Sequence, residues 1–226
     1  MTIIRNIAFW IIFYTGSVVY VLSALALVRI SPEGLRRVAD GWSGYHRACV
    51  RHILRIRVEI EGAPLAQPAF YALKHESFFE AIDLPTLLPR PAPFAKVELF
   101  SIPGWGAAAK AYGLIAVDRD QGPKALRRMI TEARASAAAG RALAMFPEGT
   151  RVPHGDQPPL KSGFVGIYKL LGLQVVPVAV ASRDVYHRRW KKPGVIRIRF
   201  GAPIPPGLER EDAEARVHAG INALNA

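Results

Sequence analysis

The sequence predicts an α/β domain with a mixed, largely parallel sheet flanked by helices, preceded by an N-terminal membrane helix and an amphipathic helix. Three observations predict it. Short apolar runs that read as strands alternate with helical stretches, the order expected of a layered α/β sheet. Residues 6–28 carry no charged side chain, and as a helix they would extend about 35 Å, enough to cross a hydrocarbon core. The chain has 226 residues, 50% of them hydrophobic, which suffices for one domain with a sizeable core.

Residues 6–28 read as a membrane anchor. The rival is a signal peptide that begins at Arg5 and is cleaved after Ala24-Leu25-Ala26, but the apolar part is longer than such segments usually are. Arg29, Arg36, Arg37, Arg47 and Arg51 follow the stretch and Arg5 alone precedes it, so the domain is expected on the cytoplasmic side. Ser31-Pro32 starts a second helix with a cap and a proline at its first position. Leu35, Val38, Ala39, Trp42, Tyr45, Cys49 and Ile53 recur along it at helical spacing. Two readings stay open for this helix: it lies against lipid with Trp42 and Tyr45 at headgroup depth, or it packs on the domain.

Residues 1–54 thus form an N-terminal membrane-anchoring helical unit and residues 55–226 the domain proper. Residues 55–61 alternate cleanly and read as the first strand, ended by Gly62. Residues 69–73 give a second, followed by a helix over 81–88 that Pro89 stops. Residues 113–119 are a short β-type run ending on Arg119. A helix is expected over 123–139, a buried strand at 143–146 ended by Pro147, and a helix up to Leu171 that Lys161-Ser162-Gly163 leads into. Strands over 175–180 and 195–200 and a closing helix over 211–223 complete the domain, with the strands that carry charged ends converging on one edge.

Two segments concentrate the chemistry. Phe146-Pro147-Glu148-Gly149-Thr150-Arg151 packs an acid, a permissive backbone position and a fixed cation into one turn at a strand end, where α/β sites usually lie. Lys74-His75-Glu76-Ser77-Phe78-Phe79-Glu80 sets an acid five residues after a histidine. On one continuous helix that pair would lie about 140° apart around the axis and could not touch. For them to meet, His75 must sit in the turn before a helix while Glu80 reaches back from its first turn. The carboxylate would then fix the imidazole and leave its other nitrogen free as a general base.

Other chemistries fit less well. Cys49 is the single cysteine, which excludes a disulfide framework or a cysteine-rich zinc site. Gly104-Trp105-Gly106-Ala107-Ala108-Ala109 imitates a dinucleotide fingerprint without its strand entry or ribose-binding acid. No G-x-S-x-G elbow occurs. His46, His52, His154, His187 and His218 lack metal-ligand spacing, so no metal is expected. The net charge of +12 suits an anionic surface; nucleic acid is not expected, since recognition helices and aromatic strand signatures are missing. The basic cluster 188–192 reads either as a solvated loop or as a contact for lipid headgroups or CoA phosphates.

In order along residues 70 to 185, these segments resemble the phospholipid and glycerol acyltransferase family, the 1-acylglycerol-3-phosphate acyltransferases in particular. The family's histidine and acid fall on His75 and Glu80. Most members carry Asp at the second position and Asn before the histidine, where this chain has Glu80 and Lys74. The second block resembles Lys96, Glu98 and Leu99 leading to Gly113 and Arg119, the third 146–151, and the fourth Val176-Pro177-Val178.

The resemblance implies a glycerol-phosphate acyltransferase-like fold. It also implies acyl transfer from acyl-CoA or acyl carrier protein, used as co-substrate with no bound cofactor, to a lysophospholipid hydroxyl, forming phosphatidic acid at the cell's inner membrane among its lipids. His75 and Glu80 would be catalytic. Lys96, Arg119, Glu148, Gly149, Thr150 and Arg151 would bind substrate, with both arginines clamping the phosphate and Glu148 orienting an arginine or a glycerol hydroxyl. An Asp at position 80 is expected to serve in place of Glu80. A lyso-ornithine lipid as acceptor, or a lipid-binding protein that has lost catalysis, are the alternatives.

Overall fold

The computed structural model describes residues 1–226 except 119–121, 162, 188 and 226, and for Pro123 the backbone only. Expectations resting on Arg119, Ser162 and Arg188 fall outside the described residues. Strands β1 (Ile56–Glu61), β2 (Phe70–Leu73), β3 (Ala92–Lys96), β4 (Ile115–Val117), β5 (Leu143–Met145), β6 (Val175–Ala181) and β7 (Gly194–Phe200) form one seven-stranded sheet in the order β1-β7-β6-β2-β5-β3-β4. β6 and β7 run antiparallel, and the other neighbours run parallel. The expected mixed, largely parallel sheet is therefore found.

Helices α1 (Thr2–Leu27), α2 (Pro32–His52), α3 (Phe79–Leu87), α4 (Trp105–Tyr112), α5 (Gly122–Ala138), α6 (Gly163–Leu171) and α7 (Arg210–Ile221) flank it. The strand period of two decides which layer each side chain joins. From β2, Tyr71 and Leu73 enter the core shared with α1, α2 and α3. Phe70 and Ala72 enter the opposite core, shared with α5, α6 and α7. Every residue of β2 is buried, which is why it reads as a continuous apolar run.

Two elements were not foreseen. β3 was hidden by its prolines, but Pro93 faces β5 at a register where pairing with β4 has not begun; that pairing starts at Phe94. The missing N–H therefore costs no ladder bond. α4 occupies the string that imitates a dinucleotide fingerprint. Its Gly106 packs so closely on the preceding 3-10 turn (Val97–Ser101) that an added Cβ would lie 1.9 Å from the Phe100 carbonyl oxygen. The glycine serves this contact.

The N-terminal unit departs from a freely projecting span. α1 is long and apolar enough to cross a membrane, yet one face is closed against the rest of the chain at both ends. Asn6 is fully buried; its side chain donates to the Lys191 carbonyl (2.8 Å) and accepts from the Lys191 N–H (2.8 Å). Near the other end, Leu25 sits over Gly104, 3.1 Å from where a Cβ would be. The opposite face exposes Ile4, Ile11, Val18 and Leu22. α2 is capped by Ser31, which accepts from the Gly34 N–H at 3.0 Å. Its Trp42 donates to Ser17 (2.9 Å) and its Tyr45 to the Ile12 carbonyl (2.5 Å). Through these two bonds α2 packs against α1.

In the basic cluster the solvated-loop expectation fails for Lys191, whereas Arg189 and Lys192 are exposed as expected. Lys191 is buried, with its ammonium 5.3 Å from the Phe9 ring centroid and 4.7 Å from that of Tyr186, and the Trp190 ring meets that of Trp10 at a tilt, centroids 5.7 Å apart. Trp190 and Lys191 form a docking seam for α1, and burial lowers the Lys191 pKa.

Candidate active site

The carboxyl ends of β2, β5, β3 and β4 lie side by side, so the segments that follow them meet at one edge, as in other open α/β sheets. β2 ends at Leu73, and His75 occupies the turn before α3. Glu80 in the first turn of α3 reaches back, placing Oε2 3.4 Å from His75 Nδ1. The two atoms are close but form no hydrogen bond, since Nδ1 has no hydrogen-bond partner. Such bonds commonly tighten when substrate binds.

Glu80 is fixed without His75. Its carboxylate accepts from the Ser77 N–H (2.9 Å to Oε2), from the Ser77 hydroxyl (3.2 Å to Oε1) and from the hydroxyl of Ser182, just after β6. The buried carboxylate thus has donors for both oxygens, which offsets its removal from water.

The 146–151 turn wraps around His75. The Phe146 ring stacks on the imidazole with centroids 4.2 Å apart. Glu148 Oε2 accepts from the His75 N–H (3.0 Å), and the Val152 N–H donates to the His75 carbonyl (2.7 Å). Gly149 has φ of 68°, a left-handed conformation that closes the turn at no steric cost. This differs from the sequence expectation for Glu148. Among the described residues its carboxylate pairs with no arginine; it is buried and bonded to Lys74 Nζ (2.7 Å) and to the His75 backbone.

In front of His75 opens a cavity of about 1000 Å³. Its walls are largely apolar: Tyr20, Val21 and Leu25 of α1, Trp42 of α2, Leu84 of α3, Phe94 of β3, Trp105 of α4, and Phe146 and Phe164. Lys96, Asp118, Gly149 and Lys161 are the polar or backbone contributors near His75's side of the sheet. Lys161 is tied to the turn by its N–H, which donates to the Pro147 carbonyl (2.9 Å).

The structure therefore brings together His75, Glu80, Lys96, Glu148 and Gly149. Thr150 and Arg151 line a separate shallow depression, where the exposed Arg151 guanidinium lies 4.0 Å from the Phe78 ring centroid. Lys161, Ser182 and the pairing of Lys74 with Glu148, Asp156 and Asn222 are not singled out from sequence. A lysine directly after a fully apolar strand was the available signal for the last, because a buried ammonium requires an acid nearby.

Three of the other histidines are occupied elsewhere. His46 Nε2 bonds the Tyr186 hydroxyl (2.7 Å), His154 Nδ1 bonds Glu76 (2.8 Å), and His218 faces the carbonyls of Gln157 and Pro158. Among the described residues no group of three or more His, Cys, Asp or Glu could hold a metal ion.

A histidine backed by a carboxylate at the wall of a chain-sized apolar cavity, on the carboxyl edge of a parallel sheet, suits an enzyme that moves an acyl chain. The class is confirmed by comparison: a family model described as Acyltransferase matches residues 55–181, more than half of the chain. The chain belongs to that acyltransferase family. It is 26% identical over 225 residues to a 1-acyl-sn-glycerol-3-phosphate acyltransferase of Pseudomonas aeruginosa, covering 97% of this chain and 86% of that one. It is 30% identical to the mouse 1-acyl-sn-glycerol-3-phosphate acyltransferase alpha over 174 residues, 73% of this chain and 61% of that relative. The fold matches the crystal structure of the 1-acyl-sn-glycerophosphate (LPA) acyltransferase PlsC from Thermotoga maritima with a TM-score of 0.75 and 23% identity, covering 100% of this chain and 98% of that one.

Proposed function

We propose that the chain is a membrane-bound 1-acylglycerol-3-phosphate O-acyltransferase, which transfers an acyl chain from acyl-CoA or acyl carrier protein to the free hydroxyl of a lysophospholipid and forms phosphatidic acid. The observation that carries this reading is the apolar cavity of about 1000 Å³ with His75 in its wall and Glu80 directly behind. His75 takes the proton of the acceptor hydroxyl as its oxygen attacks the thioester carbonyl. The oxygen–carbon bond forms, the carbon–sulfur bond breaks, and the imidazolium returns the proton to the thiolate. Glu80 orients the ring and stabilises its charged form. The acyl chain lies in the cavity, and Lys96 with the Gly149 turn meets the acceptor headgroup.

Arg151 serves the headgroup in this reading only after leaving the Phe78 ring, and Arg119 remains its expected partner. The Glu80 substitution does not argue for a silent protein, because three donors hold its carboxylate toward His75.

The outer face of α1, apolar along its length, supports a unit formed by residues 1–54 that lies half-embedded in the membrane beside the domain of residues 55–226. The basic residues that follow α1 support contact with an anionic leaflet, such as the cytoplasmic face of the inner membrane. The test is thiol release by the purified protein from acyl-CoA or acyl carrier protein, with lysophosphatidate or lyso-ornithine lipid as acceptor. Turnover with lysophosphatidate is expected, and His75→Ala is expected to lower it by about 10²- to 10⁴-fold. Turnover with lyso-ornithine lipid alone reassigns the acceptor; none in any combination defeats the enzyme reading, and an active His75→Ala protein defeats the general base.

A further inference from the structure

Lys74 stands where most of the family carries Asn, and its surroundings give it a task. Its side chain is fully buried at the end of β2, and none of its atoms lines the cavity. The ammonium has three protons to donate and three acceptors receive them: Glu148 Oε1 (2.7 Å), the Asp156 carbonyl (2.8 Å) and Asn222 Oδ1 (2.8 Å). Glu148 in turn uses its other oxygen on the His75 N–H. A chain of charge-assisted bonds therefore runs from the end of α7 through Lys74 and Glu148 to the backbone of His75.

We infer that Lys74 is a positioning residue: with Glu148 it forms a buried ion pair that fixes the backbone from which His75 projects. This deepens the proposed acyl transfer and rests on His75 being its base. It commits Glu148 to the frame of the site and not to the acceptor headgroup. Buried charges persist only when paired and hydrogen-bonded on all sides, and here the pairing ends on an amide of the residue that moves the proton. The same turn also grips His75 through the Phe146 ring and the Val152 N–H. Displacing Glu148 therefore shifts the imidazole against both Glu80 and the cavity. Near-attack geometry is sensitive at this scale: a misplacement of about 1 Å costs on the order of 100-fold in rate.

The experiment measures kcat and acceptor KM of the full-length protein with acyl-CoA and lysophosphatidate, for wild type, Lys74→Met, Glu148→Gln and the double variant, each checked for folding by circular dichroism. Both single variants are expected to lose about 10- to 100-fold in kcat, with acceptor KM within about twofold. The double variant, which leaves no buried charge unpaired, is expected to be no worse than the poorer single variant.

A Glu148→Gln protein with kcat intact and acceptor KM raised about tenfold or more would place Glu148 on the headgroup and overturn the inference. So would a folded Lys74→Met protein with wild-type kcat. Should a single variant fail to fold, the double variant decides: lowered kcat at unchanged KM supports the pair, and wild-type kcat overturns it. An inactive wild type defeats the functional reading itself, whereas an active wild type with unaffected variants defeats only this one.

Discussion

Ser182, just after β6, donates its hydroxyl to Oε1 of Glu80, 102 positions earlier in the chain. Ser77 is bonded to the same hydroxyl at 2.9 Å and to the same carboxylate, so two serines from different segments hold the acid that faces His75. The longer side chain of Glu80 reaches both. An Asp in its place would stop one methylene short, which revises the expectation that Glu80→Asp retains much of the activity. We predict that Ser182→Ala lowers kcat by about tenfold, the equivalent of one hydrogen bond to a charged group, while Ser182→Thr keeps most of the activity. Glu80→Asp is predicted to lose activity comparably. Steady-state thiol release at saturating acceptor checks all three, and a fully active Glu80→Asp protein would show that the serine contacts are not needed.

The α1 docking seam yields a second prediction. Asn6 makes a reciprocal pair with the backbone of Lys191, so Asn6→Leu leaves a buried N–H and C=O without partners. Each such group costs about 1–3 kcal/mol. The expected result is faster cleavage of residues 1–30 by a protease in detergent, with the α/β domain still folded. Ile11→Asp and Leu22→Asp on the outer face leave that seam intact and are expected to weaken co-sedimentation with anionic vesicles. Unchanged vesicle binding by both would mean that this face does not meet lipid.

Most of this architecture was legible because burial imposes a period on the sequence. β2, β5 and β6 are buried on both faces and read as unbroken apolar runs, and α2 announced itself through Ser31-Pro32. The His75 and Glu80 geometry followed from helical angles alone. What was not legible depends on contacts between distant segments. Nothing near Ser182 in sequence points to Glu80. Asn6 looked like part of an uncharged span because its partner is a backbone 185 positions away. The 146–151 turn looked like an anion wall because its acid and cation are adjacent in sequence, whereas the fold sends Glu148 inward to Lys74 and Arg151 outward over Phe78.

His46 carries a pH prediction. It is fully buried among Phe9, Phe13, Phe79 and Tyr186, and burial first, then the charges of Lys191 and Arg47, lowers its pKa from 6.5 to about 3. Between those values the unfolded chain binds a proton that the folded protein refuses, so stability falls as pH drops below about 6.5. At pH 5 the loss is about 2 kcal/mol relative to neutral pH. Asp83 acts in the opposite sense: burial outweighs its pairing with Arg47 and raises its pKa to about 6, which favours the folded state as pH falls through that value. Comparing wild type with His46→Gln removes this shared contribution. The variant keeps a partner for Tyr186 and is expected to lack the acid-dependent loss in denaturation curves at pH 7 and pH 5. Equal losses in both proteins would place the acid sensitivity elsewhere.

The cavity makes the last prediction. Ala39 of α2 and Ala108 of α4 line the same cavity as His75, along with Tyr20 and Leu25 of α1. We predict that an acyl chain whose carbonyl sits at His75 extends toward these alanines. Replacing either with Phe inserts an aromatic ring into that path without touching His75, Glu80 or the 146–151 turn. The chemistry stays intact and the space for the chain shrinks. We predict that Ala39→Phe and Ala108→Phe retain turnover with short-chain acyl-CoA and lose about tenfold or more with long-chain donors, since each methylene denied burial forfeits about 0.8 kcal/mol. Rates across donors of increasing chain length check this. An unchanged profile in both variants would mean that the chain does not run toward α2 and α4, and that the cavity accommodates the acceptor's own chain instead.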